Sequence, residues 1–70
     1  MLYLYKQRNA FIAQGTTEPE RQTRRFVADY VLRDQGRDGE LTDYCRERRV
    51  RRQTVAFLMV EFRKTLGWEE

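Results

Sequence analysis

Leu41–Leu66 reads LTDYCRERRVRRQTVAFLMVEFRKTL, and the spacing of its apolar residues decides the fold. Val55, Leu58, Met59, Phe62 and Leu66 recur at three- and four-residue intervals, which places them on one stripe of a helix from about Arg52 to Leu66. Gly67 follows immediately, where a helix C-terminal glycine belongs. Upstream, Leu41, Tyr44 and Cys45 mark the inner side of a shorter helix from about Glu40 to Arg48. Between the two lies Arg49-Val50-Arg51, a break with no Gly or Pro to enforce it, in which Val50 is the one apolar plug. The stretch is therefore a short helix, a tight turn and a longer helix.

Working outward, Thr17-Glu18-Pro19-Glu20 is the clearest start signal in the chain. A Thr followed three residues later by Glu fits the capping box, and Pro is tolerated in a first turn because its missing N–H has no helical partner there. The helix that follows places Thr23, Phe26, Val27, Tyr30 and Val31 on one stripe, with Arg21, Arg24, Arg25 and Asp29 on the other faces. Its expected end is Gln35-Gly36, followed by the polar turn Arg37-Asp38-Gly39. Met1–Tyr5 has an ambiguous period: Leu2 and Leu4 alternate with Tyr3 and Tyr5 as in a strand, yet continuing to Arg8, Phe11 and Ile12 gives a helix. The helix is preferred because Gly15 sits where a helix C-terminal glycine would. Trp68 is expected to fold back over the core. With no repeats or linkers, the expectation is one domain over residues 1–70, all-α, with four helices.

Seventy residues suffice for one domain near the lower size limit for a self-sufficient core, so nearly every apolar residue is needed or the chain dimerises. A hydrophobic fraction of 40% argues against disorder despite 36% charged residues. The net charge is only +3, but twelve of the fourteen cations are Arg, Lys6 and Lys64 being the exceptions. Arg presents a rigid donor fork that fits phosphate oxygens and the guanine edge; a GC-rich genome yields the same bias. Cys45 is the sole cysteine, so an internal disulfide and a thiolate zinc site are excluded. The absence of membrane-length apolar runs and of a secretory pattern points to a reduced, cytoplasmic setting with no membrane partner.

The chain has no His and no Ser, and no glycine-rich phosphate loop, so the expectation is a protein that is not an enzyme and has no catalytic residues, cofactor or metal. The acidic turn partly matches a calcium loop, with Asp34, Asp38, Gly39 and Leu41 at four of its positions. Gly36 stands where a ligand is wanted, however, and Cys45 where the bidentate Glu must be.

The pattern of Tyr44, Cys45, Val50, Val55 and Leu58 resembles a helix-turn-helix. Cys45 falls at the small-residue position where the helices cross, and Arg-Gln-Thr-Val (Arg52 to Val55) is similar to the start of recognition helices in catabolite-activator-type bacterial regulators. One departure is Arg49, at the turn position usually held by Gly because its backbone tends to be left-handed. The resemblance covers about a third of the chain. It implies sequence-specific binding of duplex DNA, with Arg52–Leu66 in the major groove and its N-terminal residues at base edges. Arg51, Arg52, Gln53 and Ala56 are then base-contacting, since Arg bonds guanine, Gln bonds adenine and Ala lets the helix approach a thymine methyl. Phe57 projects from the same side, and either meets a thymine methyl or marks a protein interface. Arg46, Arg48 and Arg49 are expected at phosphates.

A single short recognition helix suggests a homodimer, through Leu2, Leu4 and Tyr5 or through the last helix and Trp68. The size suits a phage- or plasmid-borne transcriptional regulator. The alternative is a small adaptor or inhibitor of a protein partner, anchored by Tyr3, Tyr5, Phe57 and Trp68 with neighbouring Arg. Independently of either reading, an Arg-rich helix end can be an ordinary solvated surface.

Overall fold

A computed structural model describes residues 2–33 and 38–68, which form four α-helices with no strand among them. They are α1 (Leu2–Ala13), α2 (Glu18–Leu32), α3 (Asp38–Arg48) and α4 (Arg52–Leu66). The all-α expectation holds, and α4 has the bounds its periodicity predicts.

α2 begins at the capping box. The Glu20 amide donates to Thr17 Oγ1 at 3.3 Å, and the Thr17 amide donates back to Glu20 Oε1 at 3.2 Å. The same carboxylate accepts from the Thr16 hydroxyl and, at 2.8 Å, from the Thr16 amide. These donors, the Thr16 hydroxyl first, hold Glu20 below the usual carboxylate range. The α1–α2 connection is thus fixed by one side chain, and α2 leaves it with Thr23, Val27, Ala28, Tyr30 and Val31 buried.

The ambiguous N-terminal segment is helical. Leu4 packs against the core and Phe11 and Ile12 enter it, a 3.6-residue period, whereas Leu2, which a strand would pair with Leu4, is 78% exposed. Phe11 meets Phe62 of α4 with ring centroids 4.7 Å apart. One core cluster joins Phe11, Val27, Ala28, Val31, Cys45, Val55, Phe62 and Leu66.

Gly15 is present for a reason other than the expected one. Of the described glycines only Gly67 has positive φ, so Gly15 is not a left-handed cap. It is buried beneath α2, and an added Cβ would lie 2.8 Å from Arg21 Cγ and 2.9 Å from the Arg21 amide nitrogen. Close approach of backbone to backbone is what excludes a side chain here. Gly15→Ala is expected to destabilise the fold by about 1–3 kcal/mol through overpacking. Urea denaturation followed by circular dichroism checks this, and an unchanged midpoint would show that the turn relaxes freely.

Two α2 residues read as solvent-facing prove to be links between helices. The Arg24 side chain is only 16% exposed and lies 4.6 Å above the Phe11 ring. It donates to the Phe11 carbonyl at 3.1 Å, capping the end of α1, and approaches Glu61 of α4 at 3.8 Å. Asp29 accepts Nε of Arg8 from α1 at 2.6 Å, and this bond raises the guanidinium above its ordinary value. α2 ends at Leu32, short of the expected Gln35-Gly36; residues 34–37 lie outside the described ones. α3 starts at Asp38 rather than Glu40, and Glu40 accepts Arg33 at 2.9 Å across the connection.

α3 is held to α2 largely by Tyr44, whose ring stacks on Phe26 at 4.1 Å and 8°. Its hydroxyl lies 3.1 Å from that of buried Thr23, so the polar atom taken into the core keeps a partner. At the end of α4, Gly67 has φ 76°, and the Trp68 amide donates to the Arg63 carbonyl at 2.9 Å. The indole does not cover the core as expected: Trp68 is 47% exposed, and Leu66 is the side chain that closes this end. No helix among the described residues is long and apolar enough to cross a membrane.

Candidate nucleic-acid interface

The corner between α3 and α4 consists of Arg49, Val50 and Arg51. Arg49 has φ 56°, the only positive φ at a non-glycine among the described residues. The Val50 amide donates to the Cys45 carbonyl at 3.0 Å, so α3 closes in the same way that α4 closes around Gly67. An Arg stands where the other helix uses glycine, at a cost of about 1 kcal/mol. Val50 is half-buried, and Cys45 and Val55 on either side are buried, which fixes the two helices against each other.

The two best-defined helix N-termini contrast sharply. That of α2 carries a side-chain cap and the acids Glu18 and Glu20. α4 starts from Arg51 in extended conformation (φ −70°, ψ 138°), with no side-chain cap and no acid in its first turn. Its first amides and the positive end of its dipole therefore face outward uncompensated. Arg49, Arg51 and Arg52 surround that end, where they raise rather than offset the positive potential.

The arginines fall into two groups. Arg8, Arg21, Arg24 and Arg33 each engage an acceptor in the fold: Asp29, Gly15 O with Glu18, Phe11 O, and Glu40 respectively. Arg46, Arg49, Arg51 and Arg52 are exposed and have no side-chain hydrogen bond or ion pair with any described residue. Arg48 is intermediate. It is exposed on the same corner, but donates to Gln22 Oε1 at 2.8 Å with its guanidinium 5.7 Å from the Tyr44 ring centroid. Arg25, Arg63, Lys6 and Lys64 are further exposed cations, Arg63 and Lys64 in the last turn of α4.

Arg51, Arg52, Gln53, Ala56 and Phe57 are all exposed, because Val55, Phe62 and Leu66 turn the opposite side of α4 into the core. Arg51, Gln53, Thr54, Phe57 and Leu58 line a shallow depression of about 360 Å³. A larger groove of about 530 Å³ runs from Pro19 and Thr23 of α2 to Val50 and Leu58, with Glu20, Arg49 and Arg51 at its rim. Sequence reasoning missed this groove and Thr54, which borders both hollows, because the lining comes from two stretches far apart in the chain, Gln14 to Arg24 and Arg49 to Leu58. The Gln22 partner of Arg48 carries no local signal either.

No group of three or more His, Cys, Asp or Glu capable of holding a metal occurs among the described residues. Asp34 and Gly36 of the calcium-loop comparison lie outside them. Cys45 is a buried free thiol within the core cluster. The arrangement offers a bare helix N-terminus, unpaired guanidinium groups and one exposed apolar ring, which is chemistry for binding an anion. No family model, curated protein or solved structure matches the chain.

Proposed function

We propose that this chain is a helix-turn-helix protein that binds duplex DNA, with α4 entering the major groove by its N-terminal turn. The carrying observation is the set of unpaired arginines Arg49, Arg51 and Arg52 at the uncapped start of α4, with Arg46 likewise unpaired near the end of α3. By contrast, Arg8, Arg21, Arg24 and Arg33 are bonded within the fold, and Arg25 is the one α2 arginine exposed without a partner among the described residues. The left-handed backbone at Arg49, the burial of Cys45 and Val55 and the half-buried Val50 between them support the helix-turn-helix reading. In this reading Arg46 and Arg49, with Arg48 held laterally by Gln22, meet phosphates, and Arg51, Arg52, Gln53 and Ala56 meet base edges. The protein is a small cytoplasmic transcriptional regulator of phage or plasmid type, without catalytic activity. It acts as a homodimer on two half-sites about one helical turn apart. Leu4 is committed to its own core, so an N-terminal dimer surface consists of Leu2, Tyr3 and Tyr5.

Fluorescence anisotropy against random-sequence duplex DNA tests the reading. Micromolar binding with a steep negative log–log salt dependence is expected, and no binding at low salt refutes it. On a selected site, Arg52→Ala should weaken binding by about 1–3 kcal/mol and relax preference at one base pair. An unaltered site preference would remove Arg52 from the readout. The second reading, a protein-binding adaptor, rests on the exposure of Tyr3, Tyr5, Phe57 and Trp68.

A further inference from the structure

Phe57 is 71% exposed in the middle of α4, and nothing in the fold uses its ring. Gln53 lies one turn before it on the same side, Ala56 and Val60 flank it, and Arg51 and Gln53 share its depression. Charge restricts what can cover this ring. α4 has one acid, Glu61, and that carboxylate is turned toward Arg24 at 3.8 Å. Among the described residues cations predominate around this face, Arg49, Arg51 and Arg52 at one end and Arg63 and Lys64 at the other, against Glu61 and, across the neighbouring groove, Glu20. A second copy apposed here through the same face would set guanidinium against guanidinium. The occupant must instead be polyanionic and present an apolar group between its charges. A DNA major groove does so: its one apolar base-edge feature is the C5-methyl of thymine, and a phenyl ring, lacking donors and acceptors, can read nothing else there.

We infer that Phe57 makes the affinity of this chain depend on a thymine 5-methyl group in its site, an inference that rests on the duplex-DNA reading. The test starts from a random-sequence duplex library, from which the wild-type protein selects its site. That site is then made twice, with thymine and with uracil at every thymine position, which removes only the methyl groups. Anisotropy with wild-type protein and with Phe57→Ala gives four affinities, and circular dichroism verifies that the variant stays folded. Wild type should bind the uracil duplex about fourfold more weakly for each methyl contacted, and Phe57→Ala should reduce that thymine preference by about fourfold, leaving at most the share of Ala56. Equal wild-type affinities, or a thymine preference as large in Phe57→Ala as in the wild type, overturns the inference. Binding of the library without enrichment of any sequence also overturns it, while leaving the phosphate-binding surface intact. No binding of the thymine library even at low salt shows instead that the DNA reading itself fails, and that an acidic protein partner is the better occupant.

Discussion

Phe62→Ala is expected to lower the unfolding free energy by about 3–5 kcal/mol, the range for truncating a well-packed aromatic to Ala. Phe62 has no exposed surface, and its ring lies against Phe11 where α1, α2 and α4 meet. The loss propagates because Phe11 is itself doubly engaged. Arg24 of α2 sits on its ring and bonds its carbonyl, so the Phe11–Phe62 contact also positions the cation that caps α1. A chain of seventy residues has a total stability of roughly 4–10 kcal/mol, so the variant should populate unfolded states at room temperature. Urea titration monitored by far-ultraviolet circular dichroism measures the change. Phe62→Leu, which keeps most of the volume, should recover more than half of the loss. A midpoint shift corresponding to less than 1 kcal/mol for the Ala variant would mean that α1 is not held by this contact.

The features legible in the sequence are those encoded within a few residues. The capping box needs only Thr17 and Glu20, the start of α4 needs the periodicity of Val55 to Leu66, and its end needs Gly67. The left-handed backbone at Arg49 was legible only through the resemblance to a helix-turn-helix, whose turn usually holds a glycine at that position, since no glycine marks it in this chain. The candidate site was legible because Arg46 to Phe57 is one contiguous stretch, so the local pattern already gathers its residues. What remained hidden depends on neighbours distant in sequence. Arg24 and Asp29 read as solvated charges because their partners, Phe11, Glu61 and Arg8, lie on other helices. Gly15 reads as a cap, but the cause of its smallness is Arg21 packed above it. Trp68 reads as core by size alone, yet Leu66 already occupies the place. The most informative fact about function, which arginines are bonded and which are free, belongs to this second kind. No composition count separates Arg24 from Arg52.

That division gives the second large prediction, for the triple variant Arg46→Gln, Arg49→Gly, Arg51→Gln. None of the three side chains has a partner among the described residues, so their removal breaks no ion pair or hydrogen bond in the described fold. At position 49 the change to Gly relieves a left-handed Arg, worth about 1 kcal/mol. Removing Arg51 takes a like charge from the positive end of α4, and losing Arg46 sacrifices a favourable charge near the end of α3, the two being of similar size, about 0.3–1 kcal/mol. The net expectation is a fold as stable as the wild type or about 1 kcal/mol more so. Binding should move the other way. Each phosphate contact contributes about 0.9 to the log–log salt slope on duplex DNA, so losing the two phosphate contacts of Arg46 and Arg49 flattens it by about 1.8. At 0.1 M salt that corresponds to a loss of roughly 60-fold in affinity for random-sequence duplex. Thermal unfolding and salt-dependent anisotropy on the same preparations measure both quantities. Stability preserved or raised while binding collapses means that the arginine at the corner is kept, against the preference of the backbone for glycine, for what it binds. A parallel loss of both would place these arginines in the fold's own structure, and unchanged binding would make the corner an ordinary solvated surface.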